Sequence, residues 1–500
     1  MSAELNPNFK GTGNPDLDRY EVVIGLEIHV QLKTETKMFC GCRVTFGEEP
    51  NTQVCPICLA HPGTLPVINR RAVEYATRIA LALNCEVTPH TIFHRKNYFY
   101  ADLPKGYQIS QYDLPLGVNG RLDVELEDGS LHRVGITRVH MEEDAGKLVH
   151  AGGATGRIHG ADYSLVDFNR GGTPLVEIVS EPDIRSPEQA RAFLTQLRNL
   201  IADTGVSDVN MEEGSLRCDA NVSIRRPGDP FGTKTELKNM NSFRFVQRGL
   251  EAEIRRQMRA LDAGERIAQA TVHFDPATGS ISVLRSKEEA HDYRYFPEPD
   301  LVPIELDREF VEAQRAALPE LPAARKERLM AGYGLSAYDA GVLAGSRSLA
   351  EFYEKVAGAV GDAKLAANWV MGDFSAYLNA EGIEVEQSRI GPDELAELLG
   401  LVQDGTLSGK LAKEVFEIMV ESGRPPGRIV EERGMGQISD EEALEKIVAA
   451  IVEANQSAVE EYRSGNKKVM GFFVGQVMKE TKGQANPQLV NALFRRYLEG

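Results

Sequence analysis

Apolar and polar positions alternate over several stretches of the first 300 residues. The clearest are EVVIGLEIHVQL (21–32), GRLDVELEDGSLHRVGITRVHMEED (120–144) and SLRCDANVSIR (215–225). Period two is the signature of a half-buried strand. In the first stretch Leu26, Ile28, Val30 and Leu32 share one face, which leaves Glu27, His29 and Gln31 on the other. In the second, Arg138, His140, Glu142 and Asp144 line up. In the third, Arg217, Asp219, Asn221, Ser223 and Arg225 oppose Leu216, Cys218, Ala220, Val222 and Ile224, so Cys218 reads as packing rather than as a nucleophile. One helix interrupts the strands. Ser186 is its N-cap, Pro187 its first residue and Gln189 the closing member of a capping box. Phe193, Leu194, Leu197, Leu200 and Ile201 form its apolar stripe and Gly205 its stop.

The period changes beyond FPEPDLVPI (296–304), a proline-rich joint. Stretches such as ANWVMGDFSAYL and DELAELLGLVQDG are helical in spacing, and SGRPPG (422–427) breaks the helices again. A last helix set begins near Ser439, with Glu442 closing a capping box. The expected fold class is α+β: a strand-rich N-terminal cradle domain, a helical domain and a small helical tail domain. The expected ranges are a disordered lead-in at 1–19, then 20–300, 301–425 and 426–500.

Rows of acid, imidazole and arginine on neighbouring strands suit phosphate chemistry. Magnesium takes oxygen ligands and keeps waters and substrate phosphates in its shell. Arginines beside it neutralise a transferring phosphoryl group. An antiparallel sheet with one wet face has the same pattern, and alternation alone does not separate the two.

The cysteines change the picture differently. Four of six crowd into FCGCRVTFGEEPNTQVCPIC as Cys40, Cys42, Cys55 and Cys58. A Cys-x-Cys pair followed by Cys-x-x-Cys suits tetrahedral, structural zinc. His61 close by reads as ordinary surface.

The chain has 500 residues, 42% apolar and 26% charged, the mix of a soluble multidomain protein. A disulfide mini-protein is excluded, and so is a secreted disulfide scaffold. No apolar run reaches bilayer length and the N-terminus lacks an apolar signal core, which points to a cytoplasmic protein with no membrane partner. The net charge of −18 excludes a globally basic coat protein. Against it stands the tail, where Arg463, Lys467, Lys468, Lys479, Lys482, Arg495 and Arg496 face the single Glu480. Such a patch fits contact with a polyanion or a solvated helical face. Phe472 and Phe473 read as core. GxxxxGK[ST] and GxSxG are both absent, so neither a P-loop ATPase nor a serine hydrolase is indicated. Gly171 and Gly172 read as a tight turn or a backbone approach to phosphate.

Long motifs carry a resemblance. VIGLEIHVQL, NYFYADLPKGYQISQYDLPL, HMEEDAGKL, DFNRGGTPLVEIVSEPD, EEGSLRCDANVS, TELKNMNSF, RSKEEAHDYRYFPEPDL and VMKETKGQANPQLVN together resemble the B subunits of bacterial aspartyl/glutamyl-tRNA amidotransferases, from about Tyr20 to the C-terminus. The resemblance implies a heterotrimer with the A and C subunits that converts misacylated Glu-tRNA(Gln) or Asp-tRNA(Asn) to Gln-tRNA(Gln) or Asn-tRNA(Asn). The A subunit would release ammonia from glutamine. The B subunit would bind the tRNA and phosphorylate its side-chain carboxylate with ATP and magnesium. The resemblance also implies magnesium on Glu27, His29 and Glu142, with Glu143, Asp144 and Glu213 as supporting or ammonia-channel groups. Arg217, Asp219, Asn221 and Lys238 would contact ATP or the aminoacyl end, and Lys467, Lys468, Lys479 and Lys482 the tRNA body. Glu often stands in the family where this chain has Gln31. Two other readings of the residues are a non-catalytic tRNA-binding scaffold and a stand-alone metal-dependent carboxylate kinase.

Overall fold

The computed structural model describes residues 19–152, 161–286, 292–435, 441–481 and 485–499. Residues 1–18 of the expected lead-in, Ser439 and Lys482 lie outside the described residues. The chain divides into two compact units, Met1–Pro322 and Ala323–Gly500.

In the first unit the early strands are β1 (Glu21–Gln31), β2 (Glu86–Val87), β3 (His90–Thr91), β4 (His94–Asn97) and β5 (Tyr107–Ser110). They are followed by β6 (Gly117–Glu125), β7 (Leu131–Glu143), β8 (Lys147–Ala151), β9 (Tyr163–Asp167) and β10 (Pro174–Ser180). The last are β11 (Leu216–Arg225), β12 (Thr235–Met240), β13 (Ala270–Asp275), β14 (Ser280–Ser286), β15 (Phe296–Pro297) and β16 (Ile304–Glu305). Four helices accompany them: α1 (Arg70–Ala82), α2 (Pro187–Thr204), α3 (Phe243–Asp262) and α4 (Arg308–Ala316).

Nine strands form one sheet in the order β14-β13-β12-β11-β1-β10-β7-β6-β2. Every pairing is antiparallel except β12 with β13. The three polar-faced stretches become β1, β7 and β11; on β1 burial alternates, with Leu26, Ile28 and Val30 buried and Glu27, His29 and Gln31 half-buried, whereas on β7 every residue from Val139 to Glu143 is buried. The apolar face packs against α1, α2 and α3 in one core that includes Ile28, Ile79, Phe193, Val222 and Leu250.

Helix α2 follows its sequence signals closely. Ser186 Oγ accepts from Gln189 N, Pro187 opens the helix and Gly205 closes it at φ 70°. Gln189 Oε1 accepts from Arg185 N, one residue before the N-cap, at 2.8 Å. All five stripe residues are buried. At ~2 kcal/mol each, their burial contributes on the order of 10 kcal/mol before entropy is counted.

A second, three-stranded sheet, β15-β4-β5, meets β7 on the polar side of the large sheet. Its edge comes from the proline-rich stretch: Phe296 pairs with Arg95 and Pro297 with His94. Ile304 and Glu305 likewise pair with Thr91 and His90. The proline-rich stretch is therefore woven into the first unit. Arg95 closes this sheet with a two-pronged ion pair to buried Glu298, both contacts at 2.8 Å.

The second unit is helical. Its helices are α5 (Pro322–Tyr333), α6 (Ala337–Ala344), α7 (Arg347–Val360), α8 (Ala363–Trp369), α9 (Ser375–Glu381) and α10 (Pro392–Gln403). They continue with α11 (Gly409–Ser422), α12 (Pro426–Arg433), α13 (Glu441–Ala454), α14 (Gln456–Arg463), α15 (Met470–Glu480) and α16 (Pro487–Glu499). Two separate apolar clusters hold them. One includes Tyr353, Phe374, Leu398 and Ile429, the other Leu444, Tyr462, Phe473 and Phe494. The α+β expectation, strands first and helices after, is what the structure shows. No helix among the described residues is long and apolar enough to cross a membrane.

Candidate active site and metal centres

Strand register turns the separate polar rows into one. His29 on β1 stands opposite Arg217 on β11 and Glu177 on β10, and Glu177 stands opposite His140 on β7. Four strands thus present Arg217, His29, Glu177 and His140 side by side, with Glu142 two residues along from His140.

The contacts are close. His29 Nε2 lies 3.3 Å from Glu177 Oε2 and 3.7 Å from Glu142 Oε1. His140 Nε2 lies 3.4 Å from Glu177 Oε2 and 3.8 Å from Glu142 Oε2. Ser110 Oγ, from the small sheet, donates to Glu142 Oε2 at 3.1 Å. Glu142, Glu177 and His140 are buried.

Burial favours neutral carboxyls here, but the cations beside them win. Burial raises Glu142, yet His140, Lys96 and His29 hold it below the usual carboxylate range. Glu177 is held well below that range against the same penalty, by His140 and His29. Reciprocally, burial lowers both imidazoles, yet Glu177 and Glu142 raise His29 and push His140 up to about 9. Lys96, on β4, is also raised: its burial is outweighed by Glu142, Tyr295 and Glu177.

Ligand atoms of His29, Glu142 and Glu177 all lie within 4.8 Å of one another. One hard cation with bonds of about 2.0–2.6 Å spans such a set. The donor set fits a divalent ion: two carboxylates and one imidazole, which gives up its proton when it ligates.

The other expected residues fall around this row. Glu27 stands one row away, accepting from Asn221 Nδ2 at 3.1 Å. Lys238 Nζ donates to Asp219 Oδ2 at 2.7 Å and lies 3.0 Å from Glu236 Oε1. Asp144 is buried and gathers Arg217 Nη2 at 2.9 Å and Gln31 Nε2 at 2.7 Å. Its carboxyl is lowered by Arg217, Arg170 and Gln31 in spite of burial. An amide at Gln31 therefore suits this site, because a carboxylate there would face Asp144 with like charge. Arg217 Nε is buried without a hydrogen-bond partner among the described residues. Glu143 turns away, paired with Lys105 and accepting from Ile109 N at 3.0 Å. With Lys105, Cys40 and Cys58 it borders a cavity of about 200 Å³. Glu213 lies exposed in the turn before β11, where none of the row's side chains touches it.

Three residues at the site lie outside the candidates that the sequence supplies. Glu177 is the one polar residue inside the apolar run Leu175–Val179, and that isolation is its signal. His140 shares a polar row, but the row alone assigns it no role. Lys96 has no local signal, since only the second sheet brings it to the carboxylates.

Cys40, Cys42, Cys55 and Cys58 converge to within 4.8 Å. Cys58 Sγ accepts from Cys55 N at 3.2 Å and lies 3.6 Å from Lys37 Nζ, on a fully buried side chain. Cys40, and after it the Cys55 backbone and Lys37, hold the Cys58 thiol down near 4 against burial, whereas burial pushes Cys42 up to about 11. The four thiols fit a tetrahedral site. Gly172, in the turn before β10, has φ 84°, a left-handed conformation that glycine adopts without a steric penalty. Cys218 is buried in the core, as its strand position requires.

In the tail, Lys468 and Lys479 are exposed. Lys467 pairs with Glu499 at 3.5 Å and lies over the Tyr462 ring at 3.9 Å. Arg496 pairs with Glu441 and Glu445. Phe473 is core, but Phe472 is 44% exposed, because neighbours on a helix cannot share one buried face.

Comparison with known proteins covers most of the chain. Residues 22–312 match the family described as GatB/GatE catalytic domain, and residues 351–498 match the GatB domain. The chain is 58% identical over 480 residues to the B subunit of the aspartyl/glutamyl-tRNA(Asn/Gln) amidotransferase of Moorella thermoacetica, covering 96% of this chain and all of the relative. It is 56% identical to that of Carboxydothermus hydrogenoformans, over 95% of this chain and 98% of the relative. With that of Geobacter sulfurreducens it shares 55%, over 96% of this chain and all of the relative.

Proposed function

The chain belongs to the family of aspartyl/glutamyl-tRNA(Asn/Gln) amidotransferase B subunits, and we propose that the polar row on its large sheet is where the misattached carboxylate is activated. It acts in a cytoplasmic complex with the A and C subunits, on Glu-tRNA(Gln) or Asp-tRNA(Asn), with ATP and glutamine. The observation that carries the site assignment is the row Arg217, His29, Glu177 and His140, with Glu142 and Lys96 facing it.

A carboxylate is a poor electrophile until one of its oxygens becomes a leaving group. In the reaction a side-chain carboxylate oxygen attacks the γ-phosphorus of ATP and ADP departs. Ammonia then adds to the acyl carbon, loses a proton, and phosphate leaves. Such a step needs positioning and neutralised charge more than an enzyme nucleophile. His29, Glu142 and Glu177 would hold magnesium. When bound, the ion would neutralise phosphate charge and fix the phosphates in line. Lys96 and Arg217 contribute fixed positive charge from two sides. A phosphate oxygen would also satisfy the orphaned Nε of Arg217, whose burial without a partner is otherwise costly. Asp144 and Gln31 orient Arg217. Asp219, Asn221 and Lys238 form the neighbouring polar patch that would receive ATP. We assign Glu143, through its Lys105 pair and the cavity it borders, to the ammonia route rather than to the metal. Glu213 has no role in this reading.

The cysteine quartet would hold structural zinc, since protein fills all four positions. Lys467, Lys468, Lys479 and Lys482 would meet the tRNA body.

The experiment is ADP formation by the assembled complex with and without misacylated tRNA. Release of ADP that depends on the charged tRNA is expected. ADP formation indifferent to tRNA would favour the stand-alone kinase, and its absence during amide transfer would contradict carboxylate activation by phosphorylation.

A further inference from the structure

Five tyrosines form a continuous string beside the carboxylate row. Ring centroids of Tyr100 and Tyr98 are 6.0 Å apart, those of Tyr98 and Tyr293 6.1 Å, and those of Tyr293 and Tyr295 6.0 Å. Tyr295 then stacks on Tyr112 at 4.4 Å with planes 9° apart. The rings come from the loop after β4, the segment after β5 and the segment before β15. None of them belongs to the hydrophobic core of the first unit. Both ends are open: Tyr100 is 59% exposed and Tyr112 58%. Phe99, beside Tyr100, is 78% exposed.

The middle of the string reaches the site. Lys96 Nζ lies 5.1 Å from the Tyr293 ring centroid, and the same ammonium faces Glu142 and Glu177. Tyr295 also feels Lys96, Glu142 and Glu177. Backbone strain sets the two late rings. Arg294, between them, is exposed at φ 44°, a conformation that a non-glycine residue keeps only where its surroundings impose it. Asn97 imposes it: its side-chain amide donates to Arg294 O at 2.8 Å and its backbone N–H to Tyr293 O at 2.9 Å.

Exposed aromatic rings in series, interleaved with cations, are how proteins hold unpaired nucleotides. The substrate brings such a segment here. Its amino acid is esterified to the last, unpaired nucleotide of the tRNA, so a carboxylate at the row places that nucleotide one aminoacyl length away. We propose that Tyr98, Tyr100, Tyr112, Tyr293 and Tyr295 are a stacking platform for the unpaired 3′ end of the misacylated tRNA. This rests on the function proposed above. The base of ATP is the weaker occupant: it needs one ring face, whereas the string offers successive ring positions that run outward from the site.

The test compares the assembled complex bound to intact, uncharged tRNA with the same complex bound to tRNA trimmed of its unpaired 3′ nucleotides. Wild type is expected to bind the intact tRNA about 10-fold more tightly, the scale of one stacked base. A Tyr112→Ala/Tyr295→Ala complex is expected to bind both tRNAs alike, with an unchanged KM for ATP. Tyr112→Phe/Tyr295→Phe is expected to keep the wild-type ratio, because rings rather than hydroxyls do the stacking. Co-elution with the A and C subunits guards against misfolding. A full 10-fold ratio in the alanine variant overturns the platform. So does loss of the ratio in the phenylalanine variant. A raised KM for ATP with an intact ratio gives the rings to ATP and overturns it as well. Wild type that binds no tRNA overturns the underlying function instead, so the two failures are distinguishable.

Discussion

The Cys58 thiol is held down near 4 because Cys40, the Cys55 backbone and Lys37 donate to or stand beside its sulfur. A thiolate already formed lowers the proton cost of taking up zinc. Metal analysis of the purified chain is expected to give about one zinc per molecule, and a Cys55→Ser/Cys58→Ser variant close to none. Full zinc in that variant would refute the site. The spacing of these cysteines is readable because all four ligands fall within one short loop. Glu177 shows the opposite case. The run Leu175–Val179 reads as a buried strand, and a lone acid inside it has no partner until the strand order puts β10 between β1 and β7. Glu27 illustrates the complement: it shares a face with His29, but register places it opposite Asp219 and Val179, where it meets Asn221.

Helix α2 is legible in the sequence almost residue by residue, since its cap, stripe and stop are local. The expected consequence is sharp. Leu197→Ala removes a buried side chain from between the helix and the sheet and should cost about 3 kcal/mol. Thr195→Ala, on the exposed face, should stay within about 0.5 kcal/mol. Thermal melting of the two variants checks this, and equal shifts would contradict the assignment of faces. The small sheet β15-β4-β5 is not legible. Its edge pairs residues about 200 positions apart in the chain, and neither edge is long enough to show a period. Yet that sheet delivers Lys96, Ser110 and the tyrosine string to the site. The proline-rich stretch reads as a joint between domains, but proline-rich backbone can still pair along a sheet edge, where proline is tolerated.

For the whole molecule, charge is distributed unevenly: a net −18 chain carries its exposed tail lysines close together. Ion pairs blunt part of that patch, with Lys467 on Glu499 and Arg496 on Glu441 and Glu445. Lys468→Ala/Lys479→Ala should therefore weaken tRNA binding and reduce its salt slope by about one for each phosphate no longer neutralised. An unchanged slope would make the patch a solvated face. Whether the row activates the carboxylate is decided with the complex of this chain and the A and C subunits, supplied with Glu-tRNA(Gln), glutamine, ATP and magnesium. ADP and amidated tRNA are measured together for wild type, His29→Ala and Glu177→Gln. The row being the activation site, both variants should lose both products by about 100-fold while glutamine hydrolysis continues. Normal yields of ADP and amidated tRNA from both variants would contradict the account and leave this chain as a scaffold for tRNA.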